Sequence, residues 1–94
     1  MPWEIRYSNE AVEQLKKFRA FDSTAILGQI EQVFRVNPTV VSKSRIKRLR
    51  EPAPTQYRLR VGEFRVFYDV TEQAVLIIQV LSKQDSIAYL GGSS

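Results

Sequence analysis

The feature that most constrains the fold is the run Tyr57-Arg58-Leu59-Arg60-Val61-Gly62-Glu63-Phe64-Arg65-Val66-Phe67-Tyr68-Asp69-Val70. Apolar and polar residues alternate on both sides of Gly62-Glu63, the pattern of two half-buried strands joined by a two-residue turn. Glycine at the first turn position supplies the positive φ that a type II′ turn needs. Such a turn predicts a register: Val61 opposite Phe64, Arg60 opposite Arg65, Leu59 opposite Val66, Arg58 opposite Phe67 and Tyr57 opposite Tyr68. Strand side chains alternate faces. Tyr57, Leu59, Val61, Phe64, Val66, Tyr68 and Val70 therefore share one face, which packs on the rest of the protein, and Arg58, Arg60, Arg65, Phe67 and Asp69 share the other.

The remaining chain supplies what the hairpin packs against. Trp3, Ile5 and Tyr7 alternate as a short strand over 3–7. Ser8 is a plausible N-cap for a helix from Asn9 to about Arg19, with Ala11, Val12, Leu15 and Phe18 on one face. Asp22 or Ser23 caps a second helix to about Val36, striped by Ile26, Leu27, Ile30, Val33 and Phe34 and ended by Asn37-Pro38. Gly28 within it weakens the helical signal. The two helices are close in sequence, so they predict an αα-hairpin. Residues 38–56 read as a basic connector broken by Pro52 and Pro54. Strands follow at about 56–61, 64–70 and 74–81, with Thr71-Glu72-Gln73 joining the last two. The run Ala74-Val75-Leu76-Ile77-Ile78 is apolar on both faces and should lie inside the sheet. Residues 83–90 read as a loop or one helical turn, and 91–94 as a flexible tail. The expectation is an α+β fold of order β-α-α-β-β-β: an N-terminal strand, a two-helix hairpin, and a three-stranded antiparallel meander packed on the helices, in one domain over residues 1–90.

Composition narrows the chemistry. A chain of 94 residues, 44% hydrophobic and 26% charged, reads as a single globular unit rather than a disordered one. No run of eighteen apolar residues offers a membrane span, and Met1 to Tyr7 lacks the apolar core of a signal peptide. The expected location is cytoplasmic. Cysteine and histidine are both absent, which excludes disulfides, thiolate chemistry, Cys/His zinc sites and any imidazole base. Neither a metal nor a cofactor is expected.

The net charge of +4 is unevenly spread. Residues 1–42 carry five basic and five acidic side chains, and 66–94 one basic and three acidic. Residues 43–65 carry eight basic ones (Lys43, Arg45, Lys47, Arg48, Arg50, Arg58, Arg60, Arg65) against Glu51 and Glu63. Such a segment is either a solvated surface or a polyanion site. The expected register favours the second, because arginines directly across a strand pair repel each other. Arg60 opposite Arg65, with Arg58 two residues away, makes sense if an anion sits between them, and the guanidinium fork suits phosphate. Phe67 on that face is either a stacking surface for a base or part of a small hydrophobic cluster or partner contact. Tyr89 and Lys83, taken alone, read as a packing residue and a solvated lysine.

The hairpin run, the apolar strand after it, the late Tyr89 and the preceding Arg48-Leu49-Arg50 together resemble the RelE/ParE superfamily of type II toxins, over nearly the whole chain. The resemblance implies a toxin neutralised by a cognate antitoxin. In the RelE-like branch it implies a metal-free endoribonuclease that cuts mRNA on the ribosome and inhibits translation. There the 2′-hydroxyl attacks the adjacent phosphate and leaves a 2′,3′-cyclic phosphate. Carried over by position, the catalytic set is Arg58, Arg60, Arg65, Lys83 and Tyr89, with Lys43, Arg45, Lys47, Arg48, Arg50 and Phe67 as RNA-binding residues. The sequence departs from the RelE pattern in having arginine, a poor base, at positions 58 and 60, and lysine rather than arginine at 83. Proton transfer would then fall to Tyr89 and Lys83, each expected to have its pKa lowered by the surrounding positive charge. Arg65, pointing away from the helices, is expected to be dispensable for folding. The alternative is a ParE-like inhibitor of DNA gyrase, without nuclease chemistry.

Overall fold

The computed structural model describes residues 3–42 and 45–91. The elements are β1 (Glu4–Tyr7), α1 (Asn9–Lys17), α2 (Ala20–Val36), β2 (Ile46–Arg48), β3 (Tyr57–Val61), β4 (Phe64–Val70), β5 (Ala74–Ser82) and α3 (Lys83–Tyr89). The strands form one sheet in the order β1-β5-β4-β3-β2. β1 runs parallel to β5, and the other neighbours are antiparallel. The expected α+β architecture is present, with two additions: β2 lies inside what reads as a plain connector, and residues 83–89 form a helix.

Local chemistry explains the boundaries. Ser8 caps α1 by accepting from the Ala11 N–H at 3.0 Å, while its hydroxyl donates to the Ile78 carbonyl at 2.6 Å. One side chain thus starts the helix and ties it to β5. α2 begins at Ala20, ahead of the expected Asp22 or Ser23, because Asp22 and Ser23 spend their side chains elsewhere. Asp22 accepts from Arg19 Nε at 3.4 Å, and the Ser23 hydroxyl donates to the Leu15 carbonyl at 2.6 Å. Position 19 is an N-cap without a side-chain cap bond.

The β3–β4 register is the one that the Gly62-Glu63 turn dictates, with Arg60 facing Arg65 and Arg58 facing Phe67. Gly62 has φ 56°, whereas Glu63 has no positive φ, as a type II′ turn requires. The inner face of the hairpin joins Ile26, Ile30 and Phe34 of α2, Ala11 of α1 and Val75, Ile77 and Val80 of β5 in one core. β5 lies inside the sheet, flanked by β1 and β4. A bulge interrupts the β4–β5 ladder at Phe67/Tyr68. Gln14 of α1 closes the sheet there: its carbonyl accepts from the Val80 N–H, and its amide donates to the Gln79 side chain.

Tyr68 anchors the connector. Its ring lies between Phe34 (centroids 4.3 Å apart) and Tyr57 (5.4 Å), and its hydroxyl donates to the carbonyl of buried Pro38 at 2.7 Å. Burial, aided by the neighbouring Tyr57, pushes this phenol far above the usual tyrosine range. A raised folded-state pKa means that its stabilisation is full below pH ~10, the unfolded value, and is lost as pH climbs through the folded one. Tyr68→Phe should therefore lower stability by about 1–3 kcal/mol at neutral pH, by leaving the Pro38 carbonyl unpaired. It should also flatten the alkaline decline. Urea melts of both proteins at pH 7 and above pH 10 check this.

Candidate anion site on the outer sheet face

The sheet face away from α1 and α2 carries Lys47 opposite Arg58, Arg58 opposite Phe67, and Arg60 opposite Arg65. α3 crosses the same face on the β4–β5 side. Tyr89 covers Phe67, ring centroids 4.9 Å apart in an edge-to-face contact. The exposed part of the face is thus a basic strip bordered by a small helix.

Among the described residues, none of Arg58, Arg60 and Arg65 forms an ion pair. The ion pairs among the described residues are Arg6–Glu4, Lys16–Glu13, Arg19–Asp22 and Arg35–Glu31, all outside the central basic segment. Arg58 is half-buried, and its Nε is fully buried without any hydrogen-bond partner. Burial first, then the charges of Arg65 and Arg60, hold the Arg58 guanidinium below the usual arginine range. Burial and then Arg60 do the same to Arg65, with Glu63 pulling the other way. A buried cationic donor with no acceptor is costly. Exposed Arg60 and turn-bound Arg65 add their charges beside it, and an oxyanion would satisfy the unmet Arg58 donor and relieve the repulsion among the three. Among the described residues no cluster of three or more carboxylates could hold a metal ion.

The other sequence candidates divide. Lys47 joins the arginine face, and Arg45 lies at its edge, its carbonyl accepting from the Arg60 N–H at 2.8 Å. Arg48 belongs to the opposite face, with its guanidinium 4.9 Å from the centre of the Tyr57 ring as a cation–π contact. Arg50 is exposed beyond β2. Lys43 lies outside the described residues. Lys83 is exposed at the start of α3, and its N–H bonds the Glu63 carbonyl at 2.8 Å, which sets α3 against the hairpin turn.

Three expectations need correction. Phe67 is fully buried beneath Tyr89, so it offers no free ring to a base. The Tyr89 phenol sits above the usual range, not below it: burial is the main cause, and the carboxylates of Asp69 and Glu10 add to it. Arg65 is only 8% exposed, and its Nη1 donates to the carbonyls of Gly62 (3.0 Å) and Phe64 (2.9 Å). It closes its own turn as well as charging the face. Sequence reasoning placed Asp69 on this face but missed its influence, with that of Glu10, on Tyr89, and missed Gln29 beside Arg60. Asp69 is doubly engaged, since it also accepts from the Gln56 N–H at 2.7 Å and so fastens the start of β3 to β4.

These contacts reverse the expectation that Arg65 is dispensable for folding. Arg65→Ala should cost about 1–3 kcal/mol, because two turn carbonyls lose their donor. Arg60→Ala removes an exposed repelling charge and should leave stability unchanged or slightly raised. Paired urea denaturation curves distinguish the two. Equal midpoints would remove the structural role given to Arg65.

The chain matches known proteins in both sequence pattern and fold. Residues 5–87 match the family described as ParE toxin of type II toxin-antitoxin system, parDE. No curated protein matches the chain. Among solved structures, the fold is similar to the RelBE toxin–antitoxin complex of Mycobacterium tuberculosis, at a TM-score of 0.72 and 20% identity, covering 87% of this chain and 99% of that one. It is similar to the archaeal RelE–RelB complex of Pyrococcus horikoshii, at 0.71 and 19%, covering 88% and 97%. It also resembles a mutant E. coli RelE in the free state, at 0.70 and 16%, covering 99% and 98%. With its matched family pattern spanning β1 to α3, the chain belongs to the ParE toxin family of type II toxin–antitoxin systems, within the RelE/ParE superfamily.

Proposed function

We propose that this toxin is a metal-free endoribonuclease that cleaves mRNA on the ribosome, and that it is held inactive by a cognate antitoxin. The carrying observation is the convergence of Arg58, Arg60 and Arg65 outside any ion pair among the described residues, Arg58 Nε being buried and unpaired. In the reaction the 2′-hydroxyl oxygen bonds to the adjacent phosphorus, and the bond from phosphorus to the 5′-oxygen breaks, giving a 2′,3′-cyclic phosphate. Charge accumulates on the non-bridging oxygens, where fixed guanidiniums stabilise the transition state most. Arg58 and Arg60 would bind those oxygens. Arg65, engaged with the turn, would act through its charge. One proton must leave the 2′-hydroxyl and another must reach the 5′-oxygen. A phenol whose pKa is raised stays protonated at neutral pH, so Tyr89 suits the donor role and not the base. The 2′-hydroxyl proton would pass to water, and Lys83, exposed at the start of α3, would add positive charge.

Gyrase inhibition is the second reading, and two observations favour it: the family match is to ParE toxins, and the Tyr89 phenol is held above its usual range, away from the part of a base. Supercoiling by purified gyrase in the presence of the toxin tests it directly. For the nuclease, Arg58→Ala should slow single-turnover cleavage of ribosome-bound mRNA by roughly a hundred- to a thousand-fold, the effect of losing about 2.7–4 kcal/mol from one preorganised donor. Tyr89→Phe should keep the fold and slow the same step. Intact mRNA with wild-type toxin, together with blocked supercoiling, would decide for gyrase.

A further inference from the structure

Beside the outer face, a recess runs between α2 and the β2–β3 edge of the sheet, lined by Gln29, Arg45, Arg60, Val61 and Gly62. Its chemistry is one-sided: two arginines and a carboxamide, with no carboxylate in its lining. The Arg60 N–H bonds the Arg45 carbonyl at 2.8 Å, so the two residues are adjacent cross-strand neighbours. This is a second pairing of like charges across the sheet, next to Arg60–Arg65. Neither Arg45 nor Arg60 belongs to an ion pair among the described residues. Arg60 is the common member, bordering the recess at the edge and the arginine cluster on the face.

We propose that this recess is a second phosphate subsite, taking the phosphate of the RNA that neighbours the one held by Arg58 and Arg60. Arg45 supplies the charge that belongs to this subsite alone. Gln29 donates an amide N–H, and Arg60 links the two positions, so that the strand backbone turns from the sheet face around its edge. The inference rests on the reading of the outer face as a phosphate site and adds the direction in which the chain leaves it. Repulsion between adjacent arginines is relieved when each gap holds an anion. Arg45 also borders an apolar groove with Val33, Val36 and Val40. A protein segment covering that groove is the competing occupant.

The test uses the purified toxin and thymidine dinucleotides, which lack the 2′-hydroxyl nucleophile and therefore bind without being cut. Affinity is measured across a salt series for the plain dinucleotide, its 5′-phosphorylated form and its 3′-phosphorylated form. One terminal phosphate should strengthen binding and steepen the fall of affinity with salt. Arg45→Gln should abolish that increment, whereas Arg58→Gln should weaken binding of the plain dinucleotide itself. Gln29→Ala should reduce the increment. If neither terminal phosphate adds affinity, or the increment survives in Arg45→Gln, the subsite does not exist. The same holds if Arg45→Gln weakens only the antitoxin complex, which would give the recess to a protein. Failure of even the plain dinucleotide to bind would instead remove the outer-face site and the proposed nuclease with it. Retained increments without any mRNA cleavage would leave the subsite standing and sink only the enzymatic reading.

Discussion

The type II′ turn at Gly62 fixes which side of the sheet is core and which side is charge. Its positive φ sets the β3–β4 register. Side chains alternate along a strand, so a slip of one residue would exchange the two faces. Leu59, Val66 and Tyr68, fully buried against α2, would come out, and Arg58, Arg60 and Arg65 would enter the core. The apolar core and the arginine face are therefore a single constraint seen from two sides. Burial of the inner face holds the guanidiniums together against their mutual repulsion.

That repulsion is only partly relieved within the protein. Arg65 is tucked under the turn and gives two hydrogen bonds to main-chain carbonyls, so its cost to the fold is offset by the turn that it closes. Arg58 has no such compensation at Nε. The outer face thus grades from a structural arginine at β4, through a half-buried one at β3, to exposed Arg60, Lys47 and Arg45 at the edge. An anion gains most at Arg58, where the unmet donor already lies out of water.

α3 gives the face its second boundary. By covering Phe67, Tyr89 replaces solvent with an aromatic contact and brings its hydroxyl under the influence of Asp69 and Glu10. A phenol beside carboxylates and a cluster of guanidiniums lie on the same sheet, which in the proposed reaction would divide the holding of a proton from the holding of a phosphate. This division makes the nuclease reading chemically coherent without histidine. It also shows why the fold, shared by toxins with different targets, does not by itself choose between them.

Much of the architecture was legible because it follows from local rules. Alternation around Gly62-Glu63 determined the hairpin, its register and its two faces. Ser8 and the apolar periodicity determined α1, and the doubly apolar run after Ala74 placed β5 inside the sheet. The absence of cysteine and histidine bounded the chemistry. Tertiary packing decided the rest. β2 could not be read from Ile46-Lys47-Arg48, because three residues carry too little periodicity and gain strand form only by pairing with β3. Arg48 and Lys47 look alike in sequence, yet the pleat sends one to the Tyr57 ring and the other to the arginine face. Phe67 and Tyr89 are twenty-two positions apart in sequence, so only the folded α3 reveals that one buries the other. The same packing reversed the expected pKa shift of Tyr89: burial is the main cause, and the carboxylates of Asp69 and Glu10, remote in sequence, add to it, because the environment of a side chain is set by its neighbours in space.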